Sequence, residues 1–149
     1  EVVALKEQFG LPGMKVLHFI FEGGVKDLFV SLNEKNTVMY TGTHDNDTTV
    51  GWYKKAVKTN HPVVRLAEKY FQITPSLSDE ELSWRFIKIA YQSSCEKVII
   101  PLQDILALGT EARMNYPGTV GGNWRWRLQE GQLTPDIEAK LKRLAKDTY

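Results

Sequence analysis

His44, Asp45 and Asp47 place an imidazole and two carboxylates within four consecutive positions, inside the run Tyr40-Thr41-Gly42-Thr43-His44-Asp45-Asn46-Asp47-Thr48. The β-branched and aromatic stretch Thr37-Val38-Met39-Tyr40 leads into it and reads as a buried strand, and Gly42 relaxes the backbone as it leaves the sheet. The polar groups therefore gather at a strand's C-terminal end. Carboxylates are costly to bury unless paired or hydrogen-bonded, so two of them beside a histidine at a strand mouth imply a solvated crevice with work for them. On spacing alone a second reading stands equally: Asp45, Asp47 or Thr48 caps a helix running through Gly51-Trp52-Tyr53.

A second polar pair, Gln103-Asp104, follows the apolar stretch Lys97-Val98-Ile99-Ile100-Pro101-Leu102 and repeats the arrangement at His44-Asp45. Beyond it, residues 114–127 contain three glycines and Pro117, which shape a loop, together with Tyr116, Trp124 and Trp126. Flat aromatic faces beside amides and guanidinium groups suit sugar rings, whose C–H faces stack and whose hydroxyls need partners. They also suit a plain core. Trp124 and Trp126 alternate as in a strand, which favours packing for at least one of them.

The elements that position these groups alternate between strand and helix. Glu1 to Phe9 is an amphipathic helix with Val2, Leu5 and Phe9 at helical spacing and no cap before it, so the sequence is expected to begin inside a longer protein. Met14 to Phe21 reads as a nearly continuous apolar strand, of the kind covered on both faces in a parallel sheet. His18 within it reads as a satisfied core histidine rather than a ligand. Residues 25–36 form a loop or short helix. After the strand Thr37–Thr41, helices are expected over Thr49–Thr59 and from Pro62, where Val63, Leu66, Ala67, Tyr70 and Phe71 share a face. Ser78-Asp79-Glu80-Glu81 is a capping-box signature opening a helix to about Ser93. Ile105 to Arg113 reads as a short helix or turn. Thr134-Pro135 starts a last helix, with Ile137, Leu141, Leu144 and Ala145 on its inner face. Strands separated by helices, each delivering polar groups at its C-terminal end, are the organisation of parallel βα units.

Bulk properties narrow the function classes. A net charge of +1 over 149 residues offers no field for nucleic acid or an anionic membrane, and 42% hydrophobic with 25% charged residues is ordinary for a globular domain. No apolar run approaches the roughly 20 residues that span a bilayer. The single Cys95 has no partner for a disulfide or a metal site, and a reducing compartment suits it. His44 and His61 are too isolated for a zinc constellation, and no glycine-rich phosphate loop is present.

Four motifs in order, Gly10-Leu11-Pro12-Gly13-Met14-Lys15-Val16-Leu17, Tyr40 to Thr48, Pro101-Leu102-Gln103-Asp104, and Ala112-Arg113-Met114-Asn115-Tyr116-Pro117-Gly118 with Gly122-Asn123-Trp124, resemble the amylomaltases, the 4-α-glucanotransferases or disproportionating enzymes of starch and maltodextrin metabolism. The resemblance runs from about Glu1 to Thr134. It implies an α/β fold, the C-terminal third of a TIM (β/α)8 barrel of the α-amylase type, with residues 1–149 forming the last three βα units and the terminal helix of one incomplete catalytic domain. By matching, Asp45 is the carboxylate that binds ring hydroxyls of the sugar at the cleavage point, and His44, Asn115 and Phe19 contact substrate. His18 stands where the family pattern has glutamine. The implied reaction is a retaining double displacement on α-1,4-glucans, with an aspartate nucleophile and a glutamate acid/base on earlier strands that this chain lacks. It needs no metal or organic cofactor, and it implies a cytoplasmic enzyme, or a stromal one in a plant or alga. An amylase-type hydrolase and a non-catalytic glucan-binding module are the alternatives. Three strands of an eight-stranded barrel leave an open edge, so the isolated chain is expected to be unstable and inactive.

Overall fold

A computed structural model of the chain describes residues 1–148. In order the elements are α1 (Val2–Gln8), β1 (Gly13–Val16), α2 (Leu17–Glu22), α3 (Gly24–Leu32), β2 (Thr37–Tyr40), α4 (Thr49–Lys58), α5 (Pro62–Phe71), α6 (Asp79–Tyr91), β3 (Lys97–Ile99), α7 (Leu102–Ile105), a 3-10 turn (Thr110–Ala112) and α8 (Pro135–Thr148). The three strands form one parallel sheet in the order β1-β2-β3. Lys15, Met39 and Val98 lie in one row across it, and Val16, Tyr40 and Ile99 lie in the next. All three strand ends, and the polar groups after them, thus emerge at the same edge.

The core lies against one face of this sheet. Met39 is fully buried there, among Leu17, Phe21, Leu28, Val50 and Phe86. Phe21 is its aromatic centre, meeting Trp52, Phe71 and Phe86 at ring distances of 6.3, 5.5 and 5.2 Å. Tyr53 is buried with its hydroxyl donating to the Ile73 carbonyl at 2.9 Å, and burial pushes its pKa up to about 12. Met14 and Ile99, on the rows facing the other way, are largely exposed, so the sheet is covered on one face in this chain. The apolar side of α1 is exposed too.

Most elements form where periodicity and caps placed them. Ser78 and Glu81 make the reciprocal capping box of α6, His61 precedes Pro62 as the cap of α5, and Thr134 Oγ1 accepts from Ile137 N at 3.3 Å at the start of α8. Of the two readings of residues 25–36, the short helix is the one that forms, as α3 from Gly24 to Leu32. Three expectations are corrected. The run from Met14 to Phe21 is a strand only to Val16. From Leu17 it is helix, burying Leu17, His18, Ile20 and Phe21 while Phe19 faces out, a helical spacing that a nearly continuous apolar run disguises. β3 ends at Ile99, because Pro101 caps the one-turn α7. Trp124 and Trp126 lie in no strand: Trp124 has φ +60°, a left-handed conformation that breaks alternation.

Candidate functional site at the strand ends

The segment joining β2 to α4 resolves the two readings of its polar residues by dividing them. Thr48 is the cap of α4, its hydroxyl accepting from Gly51 N at 3.1 Å. Asp47 is a structural tie: Oδ1 accepts from Thr48 N at 2.8 Å and Oδ2 from the Thr110 hydroxyl at 2.9 Å. Gly51 is required beneath it, since a Cβ there would sit 2.3 Å from Thr110 Oγ1. Asn46 closes a tight turn, accepting from Thr43 N at 2.9 Å and from the Thr43 hydroxyl at 2.8 Å. His44 and Asp45 remain at the apex, with side chains 55% and 49% exposed.

Asp45 and Asn115, 70 positions apart, meet there: Asn115 Nδ2 donates to Asp45 Oδ1 at 2.6 Å. His44 Nε2 lies 3.4 Å from the same oxygen. Asp45 Oδ2 has no protein partner among the described residues, so one edge of the carboxylate is held and the other is open. The backbones are joined as well, Asn115 N donating to the His44 carbonyl at 3.1 Å.

Arg113 completes the arrangement and was not singled out by its sequence context. Its Nη2 donates to the Asp45 carbonyl at 2.7 Å and its Nε to the Asn115 carbonyl at 2.8 Å, while the guanidinium lies 4.2 Å over the Tyr116 ring. The only sequence signal was an arginine two places before Asn115 in a loop shaped by glycine and proline. Trp124 packs its ring 4.9 Å from that of His44, and Asn123 braces the loop by accepting from Tyr116 N at 2.9 Å. Tyr116 and Trp124 both keep exposed faces. Behind the apex lies a cavity of about 200 Å³ walled by His44, Asp47, Gln103, Arg113, Met114 and Trp126.

The other expected polar pair does not open to solvent, which corrects its reading as a second set of site groups. Gln103 and Asp104 are both buried, Gln103 Nε2 donating to the Ala112 carbonyl at 3.4 Å. Asp104 accepts from Thr41 Oγ1 at 2.6 Å, from Thr49 N at 2.7 Å and from Thr49 Oγ1 at 2.9 Å. Burial raises its pKa and these three donors oppose the rise. His18 is buried as expected, Nε2 3.0 Å from Thr49 Oγ1 and its ring stacked 4.4 Å from Trp52, and desolvation lowers its pKa to about 3. Phe19 stands apart: it is exposed on α2, with no hydrogen bond or ring contact to His44, Asp45 or Asn115 among the described residues. Among those residues no group of three or more His, Cys, Asp or Glu side chains could hold a metal ion, and no helix is long and apolar enough to cross a membrane.

The arrangement can hold a polyhydroxylated ring: a carboxylate with an open edge, an imidazole, an amide and two aromatic faces surround one exposed apex. Comparison with known proteins agrees in kind. The chain is 44% identical over 151 residues to the 4-alpha-glucanotransferase of Thermus thermophilus, covering 99% of this chain and 30% of the relative. It is 44% identical over 143 residues to that of Synechocystis, with 95% and 27% covered, and 41% identical to the chloroplastic/amyloplastic enzyme of Arabidopsis thaliana, with 97% and 24% covered. The chain therefore spans less than a third of these relatives' length. Its fold matches an amylomaltase from Streptococcus agalactiae in complex with acarbose at a TM-score of 0.82 and 31% identity, over 99% of this chain and 29% of that one. The 4-alpha-glucanotransferase family profile matches residues 1–134, and to that family the chain belongs.

Proposed function

We propose that this chain is the C-terminal third of a (β/α)8 barrel of the α-amylase type, contributing the last three βα units and the terminal helix, and that the whole enzyme is a 4-α-glucanotransferase. It cleaves an α-1,4 bond of a maltodextrin, keeps the donor segment as a covalent glycosyl-enzyme and transfers it to the 4-hydroxyl of another glucan with retention of configuration. The chain matches under a third of the relatives' length, and the nucleophile and acid/base belong to the remainder.

The observation that carries this reading is Asp45, held on Oδ1 by Asn115 and without a partner on Oδ2 among the described residues. As the anomeric carbon becomes oxocarbenium-like, the hydroxyls on neighbouring carbons become better donors. A fixed carboxylate then binds the distorted ring more strongly than the relaxed one, which lowers the barrier. His44 and Asn115 contact the same sugar. Tyr116 and Trp124 offer faces to acceptor glucose units, and Phe19, exposed on α2, serves a glucan unit farther along the cleft. Occupation by acceptor sugar excludes water and favours transfer over hydrolysis. The chemistry needs no cofactor. The buried free thiol of Cys95 suits a reducing cytoplasm, or a plastid stroma in a plant or alga.

Incubation of an enzyme of full family length containing this chain with maltotriose tests the reading. Glucose plus a ladder of longer maltodextrins is expected. Shorter sugars alone would make it a hydrolase.

A further inference from the structure

The segment that carries Asp45 leaves the sheet at Thr41 and enters α4 at Thr49. Both threonines are fully buried, and both are fastened to the same carboxylate. Asp104 Oδ2 accepts from the Thr41 hydroxyl at 2.6 Å and from the Thr49 hydroxyl at 2.9 Å, while Oδ1 accepts from Thr49 N at 2.7 Å. At 1% exposure Asp104 is beyond the reach of any sugar, so a direct role in the reaction is excluded. Its own backbone is fixed from α6, where the buried Ser83 hydroxyl donates to the Asp104 carbonyl at 2.6 Å.

The protons of this network can be followed. With Asp104 as the carboxylate, the Thr41 and Thr49 hydroxyl hydrogens are both committed to it, which leaves only lone pairs on Thr49 Oγ1 for His18. His18 Nε2, 3.0 Å away, must therefore carry the ring hydrogen and donate. Nδ1 is left as a bare lone pair, and it is a buried nitrogen without a partner among the described residues. It faces Gly42, where a Cβ would come within 3.4 Å of Nδ1 and 3.0 Å of Cε1. The chain His18 to Thr49 to Asp104, joined there by Thr41, thus crosses the exits of all three strands: His18 follows β1, Thr41 follows β2 and Asp104 follows β3.

We propose that Asp104 is a positioning residue for Asp45: one buried anion clamps both ends of the Thr41–Thr49 segment and, through Thr49, holds His18 as the Nε2–H tautomer. The proposal rests on the role assigned to Asp45 above. A loop fastened at both feet presents its apex carboxylate in one place, and misplacement on the order of 1 Å can reduce a rate by about 100-fold.

The test uses the full-length enzyme with Asp104→Ala, Asp104→Asn and Thr49→Val, read by maltotriose kinetics and by histidine 15N NMR without substrate, the His18 signals identified by their loss in His18→Gln. Asp104→Ala is expected to lower kcat by roughly 10- to 100-fold with KM changed less than about threefold. Asp104→Asn should recover most of that rate, because its amide still bridges both threonines. The amide nitrogen now donates, however, so the Thr49 hydroxyl turns toward His18 and the imidazole switches to Nδ1–H. The Nε2 resonance then moves from the protonated to the unprotonated range. If Asp104→Ala fails to fold, Thr49→Val, which removes one hydroxyl, must still lower kcat rather than raise KM. A variant that melts earlier but keeps kcat while folded, or an Asp104→Asn enzyme whose His18 stays Nε2–H, overturns the proposal. Absence of any transfer product from the wild type would instead fail the assigned activity, since the tautomer is read without turnover.

Discussion

Asp45 and Asp104 are the same residue type in the same topological place, just beyond the C-terminal end of a parallel strand, and the fold uses them in opposite ways. Asp45 is half exposed, has Asn115 and His44 on Oδ1 and has no partner on Oδ2 among the described residues. Asp104 is buried and has both oxygens occupied by three donors. What distinguishes a site carboxylate from a structural one here is unspent acceptor capacity facing solvent, rather than position in the fold. The two are nevertheless linked, since the segment Asp104 fastens at its feet is the segment Asp45 crowns.

The comparison breaks most sharply if the two residues are exchanged for neutral ones. In the full-length enzyme, Asp45→Asn should lower turnover of maltotriose by roughly 100-fold or more, because the lost charge is needed most in the transition state. Its stability should stay within about 0.5 kcal/mol, as for other surface changes. Asp104→Ala should do the reverse in stability, losing about 3 kcal/mol by leaving buried donors unpaired. Urea unfolding followed by circular dichroism, beside the rate assay, checks both. Equal loss of stability in the two variants would erase the distinction.

How far this contrast could be read from sequence follows from the same physics. The Thr37 to Thr48 transition was legible because an apolar strand gave way to a run of polar residues, and the caps Thr48, Ser78 and Thr134 were legible because capping is local. Asp104 was not, because Gln103-Asp104 after a strand looks like His44-Asp45, and its partners Thr41 and Thr49 lie 63 and 55 positions away. The helix at Leu17 was hidden because the run is nearly all apolar and its polar residue, His18, falls on the buried face instead of marking an exposed one. Arg113 escaped because its acceptors are backbone carbonyls, which every residue owns.

His18 offers a smaller effect confined to the buried side. Its folded pKa is lowered to about 3 by desolvation, below the ordinary 6.5 of an unfolded chain. Above pH 6.5 both states are neutral and the histidine adds no pH dependence. As pH falls from 6.5 toward 3 the unfolded state takes up the proton first, so stability is lost across that window. At pH 5 the loss is about 2 kcal/mol. His18→Gln should flatten this part of the stability curve by that amount, measured as the difference between urea midpoints at pH 7 and pH 5 for variant and wild type.

Arg113 tests whether the apex needs a second clamp of its own. Asp104 fixes the feet of the segment, but the Asp45 carbonyl and the Asn115 carbonyl are drawn together by one guanidinium whose plane also rests on Tyr116. Lysine keeps the charge and can reach one carbonyl, but not both in one plane. Arg113→Lys should therefore loosen Asp45 against Asn115 by one hydrogen bond, about 1 kcal/mol, which corresponds to a fall of about fivefold in kcat for maltotriose. Arg113 lies in the loop and outside the buried network, so the His18 tautomer should be unaffected. If Arg113→Lys were as slow as Asp104→Ala, positioning of Asp45 would come mainly from the loop after β3, and the buried clamp would be secondary.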